Sequence, residues 1–142
     1  MTDTSPRVVH PTREQRIQNG RLARRITPVA SLADLAESDR DPVALLEKQA
    51  GTRVPQLVPV RYGRMATASF AFLRGAALVM ADDLSRTPNS GLHTQLCGDA
   101  HASNFGFFAT PERRTAFDVN DFDETYPGPF EWDVKRLVAS LE

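Results

Sequence analysis

The apolar positions recur with a helical period in two places and gather in short strand-like runs in three others. The strongest helical run lies between Ser69 and Leu84. Leu73, Ala76, Ala77, Met80, Ala81 and Leu84 recur at i, i+3, i+4, i+7, i+8 and i+11, which predicts one unbroken helix over about residues 69–84 with those side chains buried. Gly75 within it costs roughly 1 kcal/mol relative to alanine, so its presence implies a close packing contact. The second run, Val134, Leu137, Val138 and Leu141, predicts a helix from about Glu131 with that stripe inward and no C-cap at its end.

Start signals place further helices upstream. Thr12 with Gln15 makes a capping box and opens a helix through about Arg24. Ser31, with Asp34 three residues on, opens a short helical piece carrying Leu32 and Leu35. Asp41-Pro42 starts another that stops at Gly51. Residues 52–62 hold two prolines and read as an extended connector or edge strand. Residues 1–11, polar and with Pro6 and Pro11, read as a disordered tail.

Beyond the loop Thr87–Gly91 the period changes. Leu92–Cys97, Phe105–Ala109 and Thr115–Val119 read as strands, the last two forming a hairpin around Pro111. A loop, NDFDETYPGP, then leads to the final helix. The fold class is α+β, with residues 12–142 as one domain.

Composition narrows the functions. The 142 residues carry a net charge of -1, which gives no footprint for nucleic acid or an acidic membrane. No apolar run is long enough to span a bilayer. The N-terminus has no apolar segment of a secretory signal. One cysteine, Cys97, excludes an internal disulfide and suits a reducing compartment, so the expected location is cytoplasmic. Fifteen arginines stand against two lysines, Lys48 and Lys135.

The candidate chemistry lies between Leu96 and Glu124. Asp99, His101 and Asn104 fall in one loop, and Asp118, Asp121 and Asp123 fall at and beyond the exit of the hairpin. Phosphoryl transfer needs a carboxylate that orients the attacking hydroxyl and takes its proton. It also needs oxygen ligands that hold magnesium on the phosphates. Asp99 suits the first role. Asn104 sits at the far end of the same loop, and the hairpin returns Asp121 beside it, so Asn104 and Asp121 are the expected metal ligands and Asp123 an auxiliary one. His101 and Arg74 are candidate substrate or phosphate contacts. The competing use of Asp99 and Asn104 is turn capping, and that of Arg74 an internal ion pair.

Cys97-Gly98-Asp99-Ala100-His101-Ala102-Ser103-Asn104, followed by Asn120-Asp121-Phe122-Asp123, resembles the catalytic core of the protein-kinase-like fold as found in aminoglycoside and choline kinases. That resemblance implies part of a kinase-like C-terminal lobe, magnesium, and ATP or another nucleotide. It implies transfer to a hydroxyl acceptor on a small molecule or protein, with Asp133 as the brace behind the catalytic loop. Cys97 stands where those enzymes carry histidine. No glycine-rich loop or strand lysine precedes the motif; Lys48 falls in an expected helix.

Residues 69–84, 95–114 and 117–141 are also similar in wording to a bacterial family catalogued as a domain of unknown function, DUF2252, over roughly residues 10–142. Its members are longer, which implies that this chain is an N-terminal fragment, incomplete at its C-terminus and inactive alone. Two other classes remain open. One is a non-catalytic binding module or relic of a truncated gene. The other is a metallophosphoesterase built on Gly-Asp-x-His, which lacks its upstream Asp-x-His and downstream Gly-Asn-His.

Overall fold

The computed structural model describes residues 10–35 and 39–142. The tail expected over residues 1–11 falls outside them up to residue 9. Helix α1, Arg13–Ile26, begins on Thr12, whose hydroxyl accepts from the Gln15 amide while Gln15 Oε1 accepts from the Thr12 amide. Helix α2, Pro42–Ala50, begins on Asp41, whose carboxylate accepts from the amides of Val43 and Ala44. Both starts agree with the sequence signals. The short helix near Ser31 is a 3₁₀ turn over Val29–Ala33, preceded by Pro28. Ser31 lies inside it rather than capping it, because its hydroxyl donates back to the Pro28 carbonyl.

Residues 52–62 correct the expectation of an extended connector. Pro55 opens a 3₁₀ turn, Pro55–Leu57, and Pro59 falls in the first turn of helix α3, Val58–Met65. Proline is tolerated at the start of a helix, where the missing N–H has no intrahelical partner to lose.

The single helix expected over residues 69–84 is two: α4, Ser69–Gly75, and α5, Ala77–Ser85, broken at Ala76 (φ -114°, ψ 33°). Two arginines from elsewhere take the carbonyls at the break. Arg136 Nη2 donates to Leu73 at 2.7 Å, and Arg61 Nη2 donates to Gly75. The close contact implied by Gly75 is with Met65, whose side chain a Cβ at position 75 would overlap. Met65, Ala76 and Val79 form the core here, with Leu45, Leu46 and Tyr62 packed against it.

Strand β1, His93–Leu96, is followed by the hairpin of β2, Phe105–Ala109, and β3, Thr115–Val119. In the hairpin Phe105 pairs with Val119 and Ala109 with Thr115. The expected loop after it contains a fourth strand, β4, Tyr126–Pro129, antiparallel to β1 with Leu96 opposite Tyr126. Its two prolines do not prevent pairing. The Phe130 amide donates to the Leu92 carbonyl at 3.2 Å, so even-numbered amides face β1 and the nitrogens of Pro127 and Pro129 face away.

The chain then forms helix α6, Glu131–Ala139. Its expected inward stripe is turned outward: Val134, Val138 and Leu141 are 52, 60 and 71% exposed. Glu131, Arg136 and Ser140 are buried instead. Hydrogen bonds to the loops beneath set this rotation, as the site shows. The described residues are thus an α+β arrangement of helices and two small antiparallel sheets. No helix among them is long and apolar enough to cross a membrane.

Candidate functional site

The loop from Cys97 to Asn104 leaves β1 through Gly98, which has φ 83°. A Cβ there would overlap the Glu124 carbonyl, so glycine serves both the left-handed backbone and the close approach of the second acidic loop. Asp133 of α6 fixes the loop start from behind. Its Oδ2 accepts from the Cys97 amide at 2.7 Å and its Oδ1 from the Gly98 amide at 3.0 Å. One turn on, Arg136 Nε donates to Asp99 Oδ1 at 2.7 Å, and Arg136 Nη2 reaches the same oxygen. Ser140 Oγ accepts from the Ala102 amide at 2.9 Å. Asp133, Arg136 and Ser140 lie at i, i+3 and i+7, so one polar face of α6 holds the whole loop.

Asp99 has a 23% exposed side chain. Oδ1 belongs to Arg136, while Oδ2 stands 3.4 Å from His101 Nε2. His101 is buried, edge-on to Phe70 with ring centroids 5.9 Å apart, and its Nδ1 lies 3.3 Å from Ser103 Oγ. Burial lowers its pKa below the ordinary imidazole value. Asp99 acts in the opposite direction, and the charges of Arg74 and Arg136 add to the lowering. Burial raises the Cys97 thiol above its usual range, so it stays protonated at neutral pH.

Asn104 joins the two acidic loops. Its Nδ2 donates to the carbonyls of Asp99 and Asp121, each at 3.2 Å, and the Asn120 amide donates to the Asn104 carbonyl at 2.9 Å. The Cys97 thiol donates to the Asp121 carbonyl at 3.6 Å. With both amide hydrogens engaged, Oδ1 is the atom of Asn104 left to accept or ligate. Asp121 and Asp123 are exposed, and Asp121 Oδ1 accepts from the Asp123 amide at 3.1 Å, an Asx turn. Asp99, Asn104, Asp121 and Asp123 line a cavity of about 210 Å³ that Arg53, Arg61 and Arg74 also line. A neighbouring cavity of about 620 Å³ continues past His101 and Arg64.

Among the described residues no three His, Cys, Asp or Glu side chains converge as metal donors. The oxygen-bearing side chains of Asn104, Asp121 and Asp123 line one cavity, and oxygen is the donor type that magnesium takes. Asp118 is exposed on β3, its carboxylate turned to the Val119 amide at 2.8 Å.

Arg136 and Arg61 are the residues that sequence reasoning missed. For Arg136 a signal existed in the polar stripe Asp133, Arg136 and Ser140, masked by the apolar stripe beside it. For Arg61 there was none, because its segment did not read as a helix.

No curated protein and no solved structure matches this sequence. The family match begins at residue 53, later than the start near residue 10 that the resemblance implied. The model of DUF2252, described as an uncharacterized protein conserved in bacteria, matches residues 53–142, well over half the chain, and the chain belongs to that family.

Proposed function

We propose that this chain carries the catalytic half of a kinase-like, magnesium-dependent phosphotransferase, which moves a phosphoryl group from ATP or another nucleotide to a hydroxyl of a small molecule or protein. The observation that carries the reading is the Asn104 amide. By binding the carbonyls of Asp99 and Asp121 at once, it brings both acidic loops onto one cavity. Asp99 Oδ2 orients the acceptor hydroxyl and takes its proton, while Arg136 holds the other oxygen and so fixes the carboxylate's direction. Asn104 Oδ1 and Asp121 would hold magnesium, with Asp123 auxiliary; the ion, when bound, neutralises charge on the phosphates. Asp133 braces the loop through the Cys97 and Gly98 amides. Arg74 and His101 face the transferred group or the acceptor. A cytoplasmic setting belongs to the proposal and rests on the free, buried thiol of Cys97.

A second reading, a module that binds Mg-nucleotide without turnover, draws on the same ion pair, since Arg136 engages one of the two Asp99 oxygens. A two-metal hydrolase would need a convergence of His and Asp donors that the described residues lack.

One experiment separates the first two. A full-length member of the family that carries both loops is incubated with Mg-ATP and a panel of small hydroxyl acceptors, and phosphoryl transfer is measured beside calorimetric binding. Turnover that falls by about 10²-fold or more in Asp99→Asn, with Mg-ATP affinity kept, supports the transferase. Because Arg136 loses its partner in that variant, circular dichroism must show that it is folded. Unchanged turnover in folded Asp99→Asn sinks the assignment. Mg-ATP binding without transfer in the native full-length protein favours the binding module.

A further inference from the structure

Two arginines on the helical wall of the cavity differ from the other cations around it. Arg61, on α3, donates through Nη2 to the Gly75 carbonyl and to Gln49 Oε1 at 3.1 Å. Its Nη1 is buried and has no hydrogen-bond partner. No carboxylate among the described residues forms an ion pair with it, whereas Arg53 pairs with Glu124 and Arg136 with Asp99. The side chain of Arg74, exposed beside Gly75 at the end of α4, makes no ion pair or hydrogen bond with a described residue. An unpaired buried donor costs about 1–3 kcal/mol, and more when charged, so such a group requires a reason. Burial and the repulsion of Arg53 both oppose the charge on Arg61. A guanidinium does not escape by losing its proton. What relieves it is an anion.

The geometry suits one. Nη2 is anchored at two points, so the planar fork is held in place before a ligand arrives and little rotamer entropy is lost on binding. Arg61 and Arg74 both line the two cavities that Asp99, Asn104 and Asp121 also line. Neither lysine lines them. We propose that Arg61, with Arg74 beside it, forms a phosphate seat facing Asn104 and Asp121, and that its ligand is the phosphate chain of a polyphosphate ester. The proposal deepens the phosphotransfer reading and rests on it for the identity of the anion. Arg61 then does from a helix what a strand lysine does elsewhere: it holds phosphate oxygens against the metal-binding loop, through the Nη1 hydrogens that no described residue accepts.

The test is calorimetric titration of the full chain with inorganic pyrophosphate, with and without magnesium. Native protein is expected to bind it. Arg61→Gln is expected to weaken binding about tenfold or more, Arg74→Gln about threefold, and Arg114→Gln, on the distant hairpin turn, not at all. Because Arg61 also serves the Gly75 carbonyl, Arg61→Lys is measured in parallel; it keeps the charge, has one nitrogen to share between that carbonyl and the anion, and is expected to bind with intermediate affinity. Failure of the native chain to bind pyrophosphate overturns the proposal. So does native-like affinity in folded Arg61→Gln or Arg61→Lys. Pyrophosphate binding that needs Arg61 but ignores both magnesium and Asp121→Ala upholds the seat and overturns the phosphotransfer reading.

Discussion

Residues 97–104 and residues 120–125 present similar side chains, carboxylates and an amide, to the same cavity, yet they are held differently. In the first loop Cys97, Ala100, His101 and Asn104 are buried, and α6 binds its amides and its carboxylate through Asp133, Arg136 and Ser140. In the second every residue is exposed, and it is tied down by the amide of Asn120, the carbonyl of Asp121 and the hydroxyl of Thr125, which donates to the Leu96 carbonyl at 2.7 Å. The difference matches the two tasks proposed. A group that orients a hydroxyl must be aimed beforehand by protein. A carboxylate that ligates a magnesium takes its final position from the ion and can wait in solvent.

The comparison can be broken most forcefully at Arg136. Replacing it with alanine leaves Asp99 without its guanidinium and the Leu73 carbonyl at the helix break without its donor. The expected loss is about 3–5 kcal/mol, read from urea unfolding. A loss below about 1 kcal/mol would mean that the first loop is not held from α6 at all.

A smaller effect is expected from pH. The His101 pKa is lowered in the folded chain, so between that lowered value and the ordinary value of about 6.5 the unfolded chain binds the extra proton. Stability is therefore full above about pH 6.5 and declines as the pH falls toward the folded value. Melting temperature against pH should show this slope, and His101→Gln should flatten it. An unaltered slope would assign the effect to other groups.

The smallest effect sharpens the contrast. Asp121→Ala removes an exposed carboxylate but keeps the carbonyl that Asn104 and Cys97 bind, so stability should shift by less than about 0.5 kcal/mol. Calorimetry should nonetheless show weakened magnesium-nucleotide binding. A large stability loss would show the second loop to be as rigid as the first.

Much of this arrangement was legible in the sequence where the determinant was local. The Thr12 capping box, the Asp41-Pro42 start and the β2–β3 hairpin depend on neighbours a few residues apart. The order of the acidic loops was legible too, because a hairpin must return the chain beside its start. What was missed depends on distant partners. The break at Ala76 is stabilised by Arg61 and Arg136, which no helical period contains. Strand β4 shows only through its pairing with β1, since two prolines disguise it. The rotation of α6 was misread because its apolar stripe is stronger than its polar one; three hydrogen-bonded contacts to the loop outweigh the exposure of Val134 and Val138.

The span of those contacts has a kinetic consequence. Arg136 closes onto Leu73 across 63 residues and onto Asp99 across 37, while Asp133 reaches Cys97 across 36. On the ribosome, the helices before β1 can pack long before α6 emerges. The Asp99 loop cannot, because its amides and carboxylate are satisfied from α6. The site therefore assembles in a late, entropically costly closure of α6 onto segments 36 to 63 residues upstream, and its formation should set the slow step of refolding.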